Sequence, residues 1–251
     1  MKKDVVNDIR IFDGHVHTQF AYCSRDDMYP DDTIEIAKNK GYGIWLVEHA
    51  GQLYVSNDDF WNGNIVNKPG LIHDESTNRM DSYIRYMGRY RGDRVKLGLE
   101  LDVNRNGEVT LRDEHAGFFD VFLGAVHYIN EDFTDIDRGF MWSVEALCDF
   151  GVDTLAHPFR IYLKKGIEKP VHLYSKVAKV LARYDVAAEI NFHINEPDPE
   201  FFRICIENGV RLAFGSDAHC MEEVCGFDRN FELLENIYDG KPEDVLLSFG
   251  G

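Results

Sequence analysis

The sequence contains no long apolar run, no linker rich in proline, glycine or serine, and no internal repeat. No apolar segment approaches the roughly 18 residues needed to cross a bilayer, so we expect no contact with a membrane. Of the 251 residues, 44% are hydrophobic and 28% are charged, which excludes a disordered chain. This length and composition predict a globular protein with a substantial core, as one large domain or two small ones.

Basic residues are scarce: 27 of them face 44 acidic residues, for a net charge of −17. This balance disfavours a basic nucleic-acid groove, although bound cations could still supply positive charge to a nuclease. The five cysteines are odd in number and fit no disulfide or zinc-ribbon spacing, which predicts reduced thiols. Residues 1–4 begin no apolar signal segment, so we expect a cytoplasmic protein.

Short β-branched runs alternate with helical patterns along the chain. The strands are predicted at residues 9–13, 44–47, 95–99, 121–125, 154–156, 186–190 and 212–215. The helices are predicted at residues 31–40, 77–89, 141–150, 173–183 and 199–208. Such alternation predicts one α/β domain over residues 1–251 with a parallel sheet, either open or closed into a distorted barrel. Residues 50–76 show no clear period and are predicted to form an insertion near one end of the fold.

Polar side chains follow nearly every predicted strand, and in a parallel barrel all these strand ends surround one site. They include six of the ten histidines, and the set is His15, His17, Glu48, His49, Glu100, His127, His157, Glu189, Asn191, Asp217 and His219. Imidazoles mixed with carboxylates suit zinc, manganese or iron better than magnesium or calcium.

The spacing of His15 and His17 has a direct geometric meaning. Residues i and i+2 of an extended segment point to the same side, so both imidazoles can bind one ion. Asp217 and His219 repeat the spacing at the last strand, and Glu100 has two oxygens that could bridge two ions. The ligands are too many for one tetrahedral site, which predicts a cluster of two or three ions. Two ions about 3.5–4 Å apart suit the in-line chemistry of phosphoesters.

Six segments in this order resemble the PHP (polymerase and histidinol phosphatase) superfamily of metal-dependent phosphoesterases. They are DGHVHT (13–18), VEH (47–49), LEL (99–101), AVH (125–127), AHP (156–158) and GSDAH (215–219). Each is weak alone, but the ordered set spans nearly the whole chain. The resemblance implies a distorted (β/α)7 TIM-like barrel. It also implies hydrolysis of a small, histidinol-phosphate-like phosphomonoester by a metal-bound hydroxide.

The resemblance also implies roles for individual residues. The first ion would take His15, His17, Glu100 and Asp217, and the second would take Glu100, His127 and His157. A third would take His49, His219 and a ligand after His17, at the position of Cys23, where many relatives have histidine. A thiolate can bind zinc or iron, but Cys23 could also be an apolar filler, with Asp26 or Asp27 as the ligand. Asp217, His219 and Glu100 are the expected catalytic residues, and Asp13 and Glu48 are expected to orient ligands.

Three further residues are candidates for contact with the substrate. Arg160 follows His157 by three positions and could reach a phosphate oxygen, and Arg25 is a weaker candidate of the same kind. His193 lies near the expected mouth of the barrel. A solvated or loop position is the alternative for each of them. His73, His115 and His172 lie outside the strand-end pattern and are predicted to be surface residues.

Other functions remain open at this point. A nuclease or nucleotide phosphatase of the same superfamily would use the same ions. An amidohydrolase-type barrel also opens with His-x-His, but it usually needs a carbamylated lysine at its fourth strand, where this chain has AVH. A non-catalytic metal sensor should have lost ligands, whereas here only Cys23 departs from the pattern.

Overall fold

The strands of the protein form one parallel sheet in sequence order. The computed structural model describes residues 11–248. Its strands are β1 Phe12–Val16, β2 Gly43–His49, β3 Val95–Leu101, β4 Val121–Gly124, β5 Thr154–Leu155, β6 Ala187–Ile190 and β7 Leu212–Phe214. A parallel bridge between Val16 and Ala218 brings the first strand beside the chain that follows the last one. The sheet is therefore a nearly closed barrel, which confirms the predicted TIM-like fold.

Helices connect the strands and cover the outside of the barrel. They are α1 Pro30–Lys40, α2 Ala50–Tyr54, α3 Asn57–Trp61, α4 Asn64–Asn67, α5 Met80–Met87, α6 Asp113–Ala116, α7 Ile136–Phe150, α8 Arg160–Lys164, α9 Tyr174–Tyr184, α10 Pro199–Glu207 and α11 Asp228–Ile237. Short 3-10 helices occupy Pro69–His73, Gly88–Tyr90, Val171–Leu173 and Pro242–Asp244. Within residues 11–248, no helix has the length and apolar content needed to cross a membrane.

Helix α1 shows how local sequence sets these boundaries. Pro30 occupies the first turn, where its missing N–H costs no hydrogen bond, and Asp31 lies near the positive end of the helix dipole. The helix ends at Gly41, whose φ of 83° lies in the left-handed region that glycine adopts readily. The Gly41 N–H donates to the carbonyl groups of Ala37 and Lys38, which satisfies the last turn.

Alternation along the strands decides which side chains enter the barrel. Trp45 and Val47 of β2 belong to one small buried cluster, whereas Ile44 and Leu46 pack in the larger core. His49 lies two residues beyond Val47 and therefore continues the first series. Parallel pairing then sets His49 opposite Glu100 of β3. The same two-residue period thus supplies an apolar barrel floor and a polar upper end.

Two segments differ from the sequence prediction. The first strand runs from Phe12 to Val16 rather than over residues 9–13, and residues 9 and 10 lie outside the described part of the chain. The stretch 50–76, where the sequence pattern predicts an insertion and no particular helix, contains α2, α3, α4 and a 3-10 helix. These helices have four or five residues each, too few for a 3.6-residue period to be visible in the sequence.

Candidate metal centre

Strand ends bring the predicted ligands together at the upper end of the barrel. The side chains of His15, His17, His49, Glu100, His127, His157 and Asp217 are all buried there, although they come from six strands or the loops after them. His219 and Cys23 lie beside them with partial exposure. The structure therefore places all nine predicted ligands in one cluster.

Glu100 lies at the middle of this cluster, between two groups of imidazoles. Its Oε1 atom is 2.7 Å from His157 Nε2 and 3.4 Å from His127 Nε2. Its Oε2 atom faces the other way, 2.6 Å from His49 Nδ1 and 3.5 Å from His15 Nε2. Each carboxylate oxygen therefore has its own set of nitrogen donors, as a residue that bridges two cations requires.

The His-x-His pair faces Asp217 across the barrel. His15 Nε2 and His17 Nε2 lie 3.2 Å apart, and Asp217 Oδ1 is 3.1 Å from the nitrogen of His17. The three donor atoms all lie within 4.8 Å of one another. Such convergence of two nitrogens and one oxygen is the geometry of a cation site.

A third group lies toward the opening of the barrel. His17, His49 and His219 each offer a nitrogen within 4.8 Å of the others. Cys23 Sγ is 3.2 Å from His219 Nε2 and 3.6 Å from the amide nitrogen of Gln52. The thiol thus lies beside His219 at the edge of this third group, and its role as a ligand stays a prediction.

Metal coordination needs neutral imidazoles and ionised carboxylates, and the imidazoles of the cluster differ in this respect. Burial lowers the pKa of His49 to about 3 and that of His219 to about 3. Burial opposes the charged form of His15, His17 and His127 as well, but neighbouring carboxylates outweigh it and raise the pKa of each. Burial alone would raise the pKa of Asp217, but Arg160 and the surrounding imidazoles hold it well below its usual range. Burial likewise raises the pKa of the Cys23 thiol to about 12, so a metal ion would be needed to form its thiolate.

Several buried polar atoms of the cluster form no hydrogen bond of regular geometry. Within residues 11–248 these include His17 Nδ1, His49 Nδ1, Glu48 Oε2 and Glu100 Oε2, although His49 Nδ1 and Glu100 Oε2 lie 2.6 Å apart. Buried polar atoms without a regular hydrogen bond are costly and rare in folded proteins. Since they converge with the nitrogens described above, the residues present fit bound cations.

Two carboxylates hold the imidazoles in place: Asp102, which the sequence analysis missed, and Glu189, which it placed at a strand end without a role. Asp102 accepts hydrogen bonds from His127 through both of its oxygens, from the backbone N–H at 2.9 Å and from Nδ1 at 2.9 Å. Glu189 lies 2.9 Å from His15 Nδ1 and accepts from the His157 N–H at 2.6 Å. Such bonds fix the ring orientation and direct the Nε2 atom into the cluster.

Gly215 is required beside Glu189. A Cβ atom at this position would lie 1.8 Å from Glu189 Oε1, so any larger residue would displace the carboxylate from His15. The signal for this contact is present in GSDAH (215–219), but its partner is 26 residues away in sequence and becomes apparent only in the fold.

The backbone is strained at two of the ligand positions. His157 has a φ of 30° and Asp217 a φ of 52°, both in the region that residues other than glycine rarely adopt. Each such backbone conformation lowers the stability of the folded state by about 1–3 kcal/mol. Such strain occurs mainly where function requires a side chain to have a particular orientation.

Arg160 reaches the cluster from the start of α8. Its guanidinium donates to Asp217 Oδ2, to Asn191 Oδ1 at 3.1 Å and to the carbonyl of His193 at 2.8 Å. His193 stacks on His219 with ring centroids 4.6 Å apart and lies 3.3 Å from Glu223. Arg160 and His193, two of the three residues predicted to contact the substrate, therefore lie beside the cluster. Glu223 lies there as well, and the sequence analysis missed it.

Arg25 differs from these two. Its side chain is 53% exposed and pairs with Asp27 and Glu222, although its backbone N–H donates to the His219 carbonyl. The Arg25 guanidinium is therefore engaged with surface carboxylates rather than directed at the cluster.

Asp13 and Glu48 support the cluster in different ways. Asp13 accepts hydrogen bonds from the backbone N–H of Ser216 at 2.9 Å and of Cys225 at 2.7 Å, so it fixes the loop after β7. Glu48 accepts from the Thr18 N–H at 2.7 Å, and its second oxygen is 3.7 Å from His17 Nδ1.

The prediction that His115 is a surface residue is wrong. The residue is buried, and its Nδ1 atom lies 2.8 Å from the Tyr54 hydroxyl. Its Nε2 atom lies 3.2 Å from Asp81. A buried tyrosine and a neighbouring carboxylate thus hold this histidine in the wall between α2 and α5. His73 and His172 are exposed, as predicted.

The chain is similar to several proteins named as phosphatases. A "Probable phosphatase" of Shewanella sp. (strain ANA-3) is 25% identical over 246 residues, covering 94% of this chain and 86% of the relative. A "Probable phosphatase" of Acetivibrio thermocellus is 27% identical over 163 residues, covering 62% and 68%. A "Probable histidinol-phosphatase" of Clostridium acetobutylicum is 26% identical over 123 residues, covering 48% and 40%. No protein-family model matches the chain.

A solved structure shares the fold. The histidinol phosphate phosphatase of Lactococcus lactis, complexed with zinc, L-histidinol and phosphate, superposes with a TM-score of 0.56 at 14% identity. The match covers 92% of this chain and 94% of that one. Together with the phosphatase relatives, this match confirms the resemblance that the six sequence segments indicated.

Proposed function

We propose that this protein is a metal-dependent phosphatase that hydrolyses a small phosphomonoester. The observation that carries the proposal is the position of Glu100, whose two oxygens each face a separate set of imidazoles. Similarity to proteins named as phosphatases supports the same reaction class. Divalent transition-metal ions at these positions would activate water and neutralise the charge of the phosphoryl oxygens.

Each set of side chains has its own part in holding the ions. His15, His17 and Asp217 would hold one ion together with Glu100, and His127 and His157 would hold a second. His49 lies between these groups, near Glu100 on one side and His219 on the other. Cys23 with His219 would complete a third site, whose sulfur ligand favours zinc or iron over manganese.

The residues around the ions would handle the substrate. Arg160, now bonded to Asp217, carries further N–H donors and would orient a phosphoryl oxygen at the edge of the cluster. His193 and His219 line the side of the opening that the leaving alcohol would face. Burial keeps His219 neutral, so a proton for the alkoxide would have to come from water held in the site.

The amidohydrolase alternative gains nothing from this geometry. The residue between the two sets of imidazoles is Glu100 on β3, and the fourth strand ends before His127 rather than at a lysine. A nuclease of the same superfamily would use the same ions, so the preferred substrate distinguishes it from a phosphatase of small monoesters.

The test is phosphate release from a panel of phosphoesters after loading with zinc or manganese separately. The panel contains histidinol phosphate, nucleoside monophosphates, a phosphotyrosine peptide and a short oligonucleotide. We expect turnover of a small monoester, reduced at least a thousandfold in Asp217→Ala. The matched control is Asp132→Ala, which removes an exposed carboxylate paired with Arg105. Undiminished turnover in a folded Asp217→Ala protein would contradict the proposal.

A further inference from the structure

Two cations occupy one side of helix α8 at the opening of the barrel. Arg160 is the first residue of the helix and Lys164 is the last. Residues four apart on a helix lie one above the other, so the two side chains are neighbours. The rise of 1.5 Å per residue separates them by about 6 Å along the helix. Arg160 lies at the cluster, and Lys164 is therefore one turn further from it.

The ammonium group of Lys164 lies against two aromatic rings. It is 4.8 Å from the ring centroid of Tyr128 and 5.6 Å from that of Trp61. Both distances are within the range of cation–π attraction. Within residues 11–248, no carboxylate forms an ion pair with this lysine, although acidic residues outnumber basic ones in the chain. The rings therefore hold a cation that has no carboxylate within ion-pair distance.

The rings themselves are fixed to the metal cluster. Tyr128 directly follows His127, and its hydroxyl donates to the Trp61 carbonyl at 3.2 Å. Gly63 allows this contact, because its φ is 69° and a Cβ atom there would lie 2.9 Å from the Tyr128 ring. Phe60 contacts both the His127 ring and the Tyr128 ring edge-on. Trp61, Tyr128 and Lys164 thus form a rim, here called the Lys164 rim, that is built onto the second set of ligands.

The fold meets the charge of the Lys164 rim only in part. Partial burial lowers the pKa of Lys164, and the carboxylate of Asp102 opposes this shift from beyond ion-pair distance. The positive charges of Arg160 and Lys165 act in the same direction as burial. A partly desolvated ammonium without a carboxylate is stabilised when an anion approaches it. Glu222 and Glu223 lie beside Arg25 and His219 rather than beside Lys164, so an anion would favour the Lys164 rim.

We propose that the Lys164 rim binds a second anionic group of the substrate while Arg160 orients the phosphoryl group that is cleaved. The substrate is accordingly a phosphomonoester whose alcohol part carries a carboxylate or a second phosphate about one helical turn from the first. The methylene stem of Lys164 and the exposed part of Trp61, which is 43% accessible, contact the carbon chain between the two anions. This inference rests on the proposed phosphatase function.

Binding of stable phosphonates tests the inference without turnover. Propylphosphonate, 3-phosphonopropionate and propane-1,3-bisphosphonate share one carbon chain and differ in the second group. Calorimetric titration of the metal-loaded protein should show that at least one of the two compounds with a second anionic group binds about tenfold or more tighter than propylphosphonate. The carboxylate and phosphonate arms tell which second anion the rim accepts. Equal affinity for all three compounds would overturn the inference.

Variants assign the preference to the lysine. Lys164→Met should abolish the tighter binding of the compound with two anionic groups and leave the affinity for propylphosphonate within twofold. Lys164→Arg should retain the preference. Lys165→Met, which removes the adjacent positive charge, is the matched control and should behave as the unchanged protein does. A preference that survives in Lys164→Met would contradict the assignment. A metal-loaded protein that binds none of the compounds would contradict the proposed phosphate site as well.

Discussion

Asp102 orients His127, so replacing Asp102 with asparagine should weaken the binding of one metal ion. Both carboxylate oxygens of Asp102 accept hydrogen bonds from the same residue, each at 2.9 Å. In Asp102→Asn the side chain keeps its shape, but one of its two oxygens becomes an NH2 group. This group must then face either the backbone N–H or the ring N–H of His127, and two donors cannot bond to each other. The ring orientation of His127 is lost, or a buried N–H is left without an acceptor.

The expected magnitude follows from what such supporting contacts contribute at metal sites. Loss of a carboxylate that orients a histidine ligand typically weakens metal binding about 10–100-fold. This corresponds to about 1.4–2.7 kcal/mol for the ion held by His127. The effect should fall on that ion alone, because the nearest contacts of His15 and His17 are with other carboxylates.

Stepwise competition with a fluorescent chelator measures the affinities of the bound ions separately. We expect one dissociation constant to rise about 10–100-fold in Asp102→Asn while the others stay within threefold. Asp132→Asn removes an exposed carboxylate of the same size and serves as the control. Circular dichroism verifies that both variants are folded. Unchanged affinity for every ion in Asp102→Asn would refute the reasoning.

Two further predictions concern the ligands themselves. Cys23→Ser should remove about one bound ion per chain or shift the preference from zinc toward manganese, as measured by elemental analysis, and an unchanged content with either metal would show that the sulfur is not a ligand. Burial disfavours the charged form of His17, but hydrogen bonds that its ring donates to Asp217 and Glu48 outweigh this effect and raise its pKa to about 9. Metal binding near pH 7 must therefore release a proton from His17, so affinity should rise with pH up to about 9. Calorimetry in buffers of different ionisation enthalpy measures this release, and a buffer-independent binding enthalpy would contradict it.

Much of the barrel could be predicted because its strands are buried on both faces. Runs such as Val95–Leu101 read as continuous apolar segments, and six of the seven observed strands begin within one residue of the predicted position. The first strand was predicted too early in the chain, because the observed strand contains His15 where an apolar residue would mark a strand. Helix α11, Asp228–Ile237, was missed because its buried face combines Leu233 and Leu234 with the polar Asn230. Three statements stay predictions: residues 1–251 form one domain, residues 50–76 are an insertion, and the protein is cytoplasmic.

The candidate ligands could be predicted from their positions after strands, but their supporting residues could not. Asp102 directly follows β3 and Glu189 lies in β6, yet a carboxylate at a strand end has many potential partners. Only the closed barrel determines that Glu189 meets His15, which is 174 residues away. The burial of His115 has the same origin, because Tyr54 and Asp81 approach it from separate helices.

The bridge between Val16 and Ala218 has a consequence for the order in which the protein is made. The His17 N–H donates to the Ala218 carbonyl at 3.1 Å, and the Ala218 N–H donates to the His15 carbonyl at 3.3 Å. These hydrogen bonds join segments that lie 200 residues apart in the chain, the separation between His17 and Asp217. Because contacts between distant parts of a chain form slowly, the opening where His15 meets Asp217 is completed late in folding. A nascent or truncated chain that ends before β7 would therefore lack Asp217, one of the four residues proposed to hold the first ion, and full metal loading would mark a finished barrel.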